Sequence, residues 1–458
     1  MRSASRVGPL GDGLPLGHAN MVPQTRSFPI AALASAIFVA AGSSSVSASE
    51  EAPAPAASAS GTAATPSAPH VPEAPLPATT PDVPVPPSPA SSALDLDRSI
   101  PAAPIVEVHG FASQGFILTT GNDYIAPDTT HGSFQLTEVG LNLTKQLTDK
   151  LRFGIQAFAQ NFALGGNFDL KADWFYADYR WRDWFGVRVG RLKIPFGLYN
   201  EVNDIDSARV PILLPQSAYP IQGRDFLFAQ NGVELYGFAR SRLAGALDYR
   251  LYLGTIFIDP AILVPPGSAV QLQLNVRYVL GGRLFWETPL QGLRIGASVL
   301  AVHLDVDAFA AGMTIPIVNR SLLSMASAEY ATTRLTLTAE YALWHSAQES
   351  ELASSNFTGT SERSYAMATY RATAWFHPAL YYALYFRDVH NRDAGSTMRQ
   401  NDVSLTLRFD LNDFLILKLE GHFMEGTAGL VAPLSVTPPP ANPERVWGVF
   451  LVKATGYF

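Results

Sequence analysis

A short stretch in the second half of the chain decides the fold class. Residues 334–341 read Arg-Leu-Thr-Leu-Thr-Ala-Glu-Tyr, so that apolar and polar side chains alternate. A period of two is typical of a half-buried β-strand, because successive side chains of a strand point to opposite faces. The same alternation recurs at 151–159, 271–278 and 402–409. These stretches predict β-strands with one apolar and one polar face.

The connections between such stretches sort by length. Between Ile105 and Phe458 we count sixteen alternating stretches, and short connections such as 182–183 take turns with longer ones such as 307–317. An outer-membrane β-barrel has an even number of strands, short periplasmic turns and longer external loops. The pattern predicts an all-β fold over residues 105–458, a sixteen-stranded antiparallel transmembrane β-barrel in the outer membrane of a Gram-negative bacterium.

Aromatic side chains flank the short connections. Trp181 and Trp184 lie on either side of one, and Trp375 and Phe376 precede another. Aromatic rings prefer the membrane–water interface, so this placement favours a periplasmic girdle over a soluble β core with aromatics at random. Phe458 closes an amphipathic strand, which resembles the signal through which outer-membrane barrels reach the barrel assembly machinery.

The first 104 residues have a different composition. Arg26 precedes a small-apolar run from Phe28 to Ala41, and small residues follow it up to Ala48, which is typical of a cleaved signal peptide over 1–48. A start at Met21 instead of Met1 would give a cleaner leader. Residues 49–104 are rich in Pro and Ala, which favours an extended, disordered periplasmic linker. The alternative role of this tract is a tether that binds the cell wall.

Composition excludes several classes of function. The chain has no cysteine, which excludes disulfides, thiolate metal sites and cysteine nucleophiles. Its formal net charge is −7, whereas proteins that bind nucleic acid are basic. No catalytic or nucleotide-binding motif is found, so we expect neither an enzyme nor a cofactor or metal. An outer-membrane lipid hydrolase, with a serine and a histidine brought together from different strands, is the enzyme alternative.

The alternation also assigns side chains to the lumen. If the apolar positions face lipid, the inward positions carry more basic than acidic side chains, which favours anions in a water-filled pore. A wall whose charges pair with one another, and so select little, fits the same pattern. The predicted pore-wall residues are Arg152, Arg180, Arg188, Arg250, Arg277 and Glu234.

One predicted loop begins with a distinctive motif. Residues 190–198 read Gly-Arg-Leu-Lys-Ile-Pro-Phe-Gly-Leu, and 174–179 read Trp-Phe-Tyr-Ala-Asp-Tyr. This resembles the Gly-Arg/Gln-x-Lys-x-Pro-Phe-Gly signature of the phosphate-selective porin O and P family. The resemblance covers the barrel and implies a trimeric sixteen-stranded porin whose third external loop folds inward to form the constriction. The matching residues are Gly190, Arg191, Lys193, Pro195, Phe196 and Gly197.

The third external loop of this chain is the segment 195–225. We expect its charged residues to line the constriction: Glu201, Asp204, Asp206, Arg209, Arg224 and Asp225. This set leans acidic, whereas phosphate selectivity in the family rests on basic residues, so the resemblance carries the fold and the channel role but not the solute. Arg191 and Lys193 fall on lipid-facing positions. Either a β-bulge turns them inward, or they lie above the bilayer near lipid headgroups.

Together these features predict a porin that passes small hydrophilic solutes by passive diffusion. If the channel selects solutes by charge, we expect it to prefer anions. The expected partners are outer-membrane lipid, the barrel assembly machinery, two further copies in a homotrimer, and the solutes or anions themselves. The alternatives are a barrel that anchors the cell wall and the lipid hydrolase.

Overall fold

The computed structural model describes residues 106–162, 168–221, 224–258, 270–310, 312–351, 356–430 and 443–458. The predicted signal peptide and the Pro/Ala-rich tract lie outside the described residues, and they stay predictions.

The strands close into one antiparallel barrel of sixteen, as the alternation predicts. They are β1 Val106–Thr119, β2 Thr137–Gln146, β3 Leu151–Asn161, β4 Lys171–Arg182, β5 Phe185–Lys193, β6 Ala229–Ser241, β7 Gly245–Thr255, β8 Gln271–Glu287, β9 Leu293–Ala310, β10 Met313–Ala331, β11 Leu335–Ser350, β12 Phe357–Tyr370, β13 Phe376–Phe386, β14 Arg399–Asn412, β15 Leu415–Gly426 and β16 Val446–Tyr457.

Each strand pairs with its neighbours in sequence, and β16 pairs with β1 to close the ring. Phe458 lies just past β16, where its backbone N–H donates to the carbonyl oxygen of Gly110 at 3.0 Å. Closure leaves no unpaired strand edge, which a sheet surrounded by lipid requires. No helix among the described residues is long and apolar enough to cross a membrane.

Burial follows the alternation along the strands. On β11, Leu337 and Tyr341 are 42% and 45% exposed, whereas Glu340 and Trp344 between and beyond them are 3% and 0% exposed. The exposed set is apolar over most of the ring and forms the lipid-facing belt. The buried set, which carries most of the charged side chains, faces the interior of the barrel.

The ends of the barrel differ in the length of their connections. Seven connections at one end, from 147–150 to 413–414, have at most five residues each, while 194–228 at the other end is far longer. The short end is therefore periplasmic. The long loop predicted at 307–317 is wrong, because β9 runs to Ala310 and β10 begins at Met313.

The reason for this error is a change of polarity along the strands. On β9, Val299 faces outward near the middle, whereas further up His303 and Asp305 take the outward positions and Leu304 and Val306 are buried. Polar residues face outward there because this end of the hairpin extends past the apolar belt. The strand pattern continues in 307–317, but its apolar face has changed sides.

The same change of polarity along the strands affects the predicted position of Arg277. The register of β8 against β9 shifts between Val276 and Tyr278, which is the signature of a β-bulge. The side chain of Arg277 is 62% exposed and pairs with Asp305, and Leu272 on the same strand is buried. Arg277 therefore lies on the outer face, and its assignment to the pore wall is corrected.

Candidate functional site

The β5–β6 connection, residues 194–228, is the longest segment between two strands. It contains two short 3-10 turns, Asn200–Val202 and Asp206–Ala208, and a short α-helix, Arg224–Leu227. Its side chains and backbone bond to buried side chains of β3, β4, β7, β8, β9, β11, β12, β14, β15 and β16. Strands on every side of the ring thus contact this one segment.

The motif residues at the entrance have separate structural roles. Gly190 adopts φ 140°, a conformation that residues with a Cβ rarely adopt, and a Cβ there would collide with the carbonyl oxygen of Phe175. Arg191 Nε donates to the carbonyl oxygen of Asp173 at 2.8 Å. Lys193 Nζ donates to Asp204 Oδ1 at 2.7 Å, so this side chain is directed at the connection and not at lipid headgroups.

The Pro195-Phe196-Gly197 part of the motif turns the chain against β11. Phe196 is 5% exposed and packs edge-on against Trp344, with ring centroids 6.4 Å apart. Gly197 has φ 63°, and a Cβ at this position would collide with Tyr219 Oη and with the Glu340 carboxylate. Glycine is required because the backbone approaches both groups so closely.

Glu201 bridges two arginines of neighbouring strands. Arg250 Nη1 on β7 donates to its Oε1 at 3.1 Å, and Arg283 Nη1 on β8 donates to its Oε2 at 2.5 Å. Burial opposes ionisation of this carboxyl, but the charges of Arg250 and Arg283 outweigh burial and lower its pKa to about 2. Glu201 is thus a fully ionised attachment point for the connection.

Asp204 and Arg224 attach the two limbs of the connection to β3 and β4. Asp204 accepts from Gln156 Nε2 at 2.8 Å and from Lys193, and Arg224 forms a two-point ion pair with Asp173 at 2.9 and 3.1 Å. Burial raises the pKa of Asp204, but the charges of Lys193 and Arg224 outweigh burial and lower it. Asp225 lies in the short helix, and its side chain is not among those that the structure describes.

Asp206 sits among three cations. Its carboxylate is 3.0 Å from Lys418 Nζ on β15, 3.5 Å from Lys453 Nζ on β16 and 3.6 Å from the guanidinium of Arg209. It also accepts from Thr455 Oγ1 at 2.7 Å. Burial disfavours its charge, but these three cations hold its pKa well below the usual range.

Glu340 on β11 holds the connection without a cation partner among the described residues. Leu198 N donates to its Oε1 at 2.9 Å, and the hydroxyls of Tyr219, Tyr365 and Ser327 donate to the same carboxylate. Leu198 and Tyr219 belong to the outgoing and returning limbs of the connection. Glu340 therefore ties both limbs to one wall position.

Glu420 on β15 binds the tip of the connection. Its carboxylate accepts from the backbone N–H groups of Ile212 and Leu213 at 2.6 and 2.9 Å. His422 Nε2 is 3.0 Å from Glu420 Oε1, and its Nδ1 is 3.0 Å from Asp402 Oδ1. Both ring nitrogens of this fully buried histidine are engaged with carboxylates, so it orients Glu420 instead of presenting a free base.

Apolar packing accompanies these polar contacts. Tyr219 and Leu214 of the connection join a buried cluster with Leu300, Met325 and Trp344 from β9 to β11. A second cluster packs the tip against β15, β16 and β1, through Ile212, Leu213, Met424, Trp447 and Leu451. Burial of each large apolar side chain contributes about 1.5–3 kcal/mol, so the connection is docked by its apolar as well as its charged residues.

The predicted wall residues form a cross-strand row of alternating charge. Arg152 is opposite Asp178, Asp178 is opposite Arg188, and Arg188 is opposite Glu234 on four successive strands. Arg188 lies 3.1 Å from both Asp178 and Glu234, and Glu234 also pairs with Arg250 at 3.2 Å.

Arg180 continues this face towards the periplasmic turn. Its guanidinium is 3.4 Å from Asp183, and its side chain is 39% exposed. Arg152 is half-buried. The structure thus brings five of the six predicted wall residues onto one internal face, and Arg277 is the exception.

Sequence reasoning did not single out Lys453. Its Nζ lies 2.5 Å from Glu138 Oε2 on β2 as well as near Asp206, and its side chain is 2% exposed. The signal available was a lone lysine at an inward position, between Val452 and Ala454, of the strand that closes the ring. Its partners lie hundreds of residues away in sequence, so no local pattern reveals them.

The ionisation of Glu201 predicts an effect of acid. Its pKa is lowered from about 4.5 to about 2, so its attachment to Arg250 and Arg283 is complete above pH 4.5 and is lost as the pH falls towards 2. We expect the single-channel conductance of the folded protein to change over that range as the connection loosens. Glu201→Gln should already show the altered conductance at pH 7, and Glu349→Gln, on the outer face, should behave as wild type. A conductance that stays constant from pH 7 to 2 would contradict the assignment.

Searches of family models and of curated proteins found no match to this chain. Solved structures are similar in fold. OmpT, described as outer-membrane expressed, of Vibrio cholerae has a TM-score of 0.50 at 9% identity, covering 79% of this chain and 100% of that one. An anion-selective porin from Comamonas acidovorans has a TM-score of 0.46 at 12% identity, covering 78% and 100%. The outer-membrane channel DcaP of Acinetobacter baumannii has a TM-score of 0.47 at 10% identity, covering 78% and 99%.

At these identities the likeness concerns the fold alone. The chain is a closed sixteen-stranded outer-membrane β-barrel.

Proposed function

We propose that this chain is an outer-membrane channel through which small hydrophilic solutes diffuse passively, and that the β5–β6 connection lies across its interior and sets the cross-section. The observation that carries this proposal is the attachment of the connection to buried wall side chains all around the ring, through Glu201, Asp206, Glu340 and Glu420. Bonds from one segment to strands on opposite sides of a closed barrel support a path across the interior. No chemical step is involved.

The ion pairs determine what selectivity to expect. Glu201, Asp204 and Asp206 are each neutralised by wall cations, so these acids contribute little field to the solute path. Arg152 and Arg180 keep part of their side chains accessible on the internal face. We therefore expect the channel to prefer anions only weakly, because most charged side chains of the wall form ion pairs with one another or with the connection.

The finer family assignment belongs to the same proposal. The motif from Gly190 to Gly197 supports kinship with the phosphate-selective porin O and P family, because Gly190 allows the close approach of β5 to β4, and Lys193 and Gly197 position the connection. That kinship implies a homotrimer. Insertion by the barrel assembly machinery is proposed from the Phe458-terminated strand that closes the ring.

The experiment is a planar-bilayer recording of the refolded mature protein under a KCl gradient. We expect a stable conductance and a small zero-current potential in the anion direction. Arg152→Gln with Arg180→Gln should move that potential towards zero, and the exposed pair Arg240→Gln with Arg242→Gln, next to a periplasmic turn, should leave it unchanged.

The other outcomes each correct the proposal. A cation-directed potential would overturn the anion preference. Absence of conductance from correctly folded protein would overturn the channel, and lipid-ester turnover blocked by a serine-reactive inhibitor would then favour the hydrolase. Retention of peptidoglycan by residues 49–104 alone would favour the anchor.

A further inference from the structure

Five arginines occupy a similar position on the outer face of the barrel. They lie in the external halves of strands between β8 and β16 or in the external connections beside them, and each pairs with a carboxylate of a neighbouring strand. The pairs are Arg277 with Asp305, Arg320 with Glu349, Arg392 with Glu362, and both Arg399 and Arg445 with Glu425. We call these five residues the external arginine row.

The height of this row relative to the lipid-facing belt is set by the strand alternation. Arg320 is the next outward position above Leu322, which is 50% exposed. Glu425 is the next outward position above Phe423, which is 58% exposed, and Arg399 lies two outward positions above Val403. The row thus begins where the apolar belt ends, at the level of lipid headgroups.

Stability does not account for the row. The arginine side chains are 33–62% exposed, and ion pairs this open to solvent contribute about 0–1 kcal/mol. All five cations are arginine, which outnumbers lysine 26 to 6 in this chain. Arginine differs from lysine in presenting a planar fork of donors that matches a phosphate group at two points.

Pairing with a carboxylate also leaves the row available to a ligand. One carboxylate engages one or two of the five N–H donors of a guanidinium and fixes its direction. The other N–H donors of each partly exposed guanidinium can then bond to groups in the lipid headgroup layer. Around more than half of the ring, oriented arginines thus face the layer in which lipid phosphates lie.

We propose that the external arginine row binds the phosphate groups of lipids in the outer leaflet, and so fixes a shell of anionic lipid around β8 to β16. The ligand is a lipid phosphate and not free phosphate, because the acyl chains would lie on the apolar belt directly below the row. This site is on the opposite side of the wall from the solute path, so lipid binding by the row does not depend on whether the barrel conducts ions.

The test compares binding of bisphosphorylated lipid A with binding of its dephosphorylated form, by native mass spectrometry of the protein in detergent. We expect wild type to retain the phosphorylated form and to release the dephosphorylated one. The triple variant Arg277→Gln, Arg320→Gln, Arg399→Gln should bind about a hundred-fold more weakly, at roughly fivefold per arginine removed. Arg182→Gln, Arg240→Gln, Arg242→Gln, at the periplasmic end, is the matched control and should bind as wild type.

Three results would overturn the proposal. These are equal retention by the two triple variants, equal retention of the two lipid forms by wild type, and displacement of the lipid by an equal concentration of inorganic phosphate. Heat-dependent gel mobility verifies that both variants are folded barrels. Bilayer conductance is recorded in parallel, so that loss of the channel and loss of lipid binding are scored separately.

Discussion

Asp206→Asn is expected to release the tip of the β5–β6 connection while leaving the barrel folded. The substitution removes the negative charge among Lys418, Lys453 and Arg209 and leaves buried cations without their common partner. Breaking a buried pair in this way costs about 3–5 kcal/mol, which shifts a docking equilibrium by two orders of magnitude or more. Single-channel conductance should rise, because the connection no longer stays docked.

Limited proteolysis gives an independent measurement of this release. Arg209 is 7% exposed in the docked connection and is a trypsin site, so cleavage after it reports the undocked population. Asp206→Asn should be cut there while the strands stay intact. Asp128→Asn, which changes an exposed external carboxylate, is the control and should be as resistant as wild type. Resistance of Asp206→Asn equal to that of wild type would show that Asp206 does not hold the tip.

Glu340→Ala is expected to free both limbs of the connection at once. The hydroxyls of Tyr219 and Tyr365 would lose their shared buried acceptor, at about 1–3 kcal/mol for each donor left unsatisfied. Leu198 N would lose one of its two acceptors. With both limbs loose, the channel should admit larger uncharged sugars, which liposome swelling with oligosaccharides of increasing size would measure.

A graded series separates a positioning role from simple loss of stability. Glu340→Gln keeps the size of the side chain and one acceptor oxygen, so its size limit should lie between those of wild type and Glu340→Ala. Glu329→Gln, on the neighbouring strand and paired with Arg294, is the matched control and should keep the wild-type limit. The same size limit for wild type and Glu340→Ala, in folded protein, would disprove the role assigned to Glu340.

The sequence was sufficient for the barrel because a period of two is a local property. Lipid outside and polar groups inside impose it on every strand, so the number of strands and the periplasmic end could be predicted. The same rule failed above the membrane. At 307–317 and around Arg277 the outward face meets water, so the apolar side chains turn inward. Alternation interpreted with the apolar face towards lipid therefore predicts a loop at 307–317 and a pore-wall position for Arg277.

The sequence predicts which charged residues of 195–225 belong to the candidate site, but not how those residues pair. Glu201, Asp204 and Asp206 were identified as an acid-leaning set that would face the solute path. Each instead pairs with cations from strands or from its own limb, and Lys453 is 247 residues away from Asp206. Such pairing depends on how the ring closes, and no local spacing encodes it. The acidity of the segment therefore indicated where it attaches and not which ions it selects.

The pairing of β16 with β1 has a consequence for the making of the protein. The partners Phe111 and Tyr457 are separated by nearly the whole barrel sequence, so the ring cannot close on a chain interrupted before Val446. Such a product would keep two open edges, on β1 and β15, whose backbone groups lipid cannot satisfy. Synthesis of β16 is thereby a physical condition for a closed barrel in the membrane.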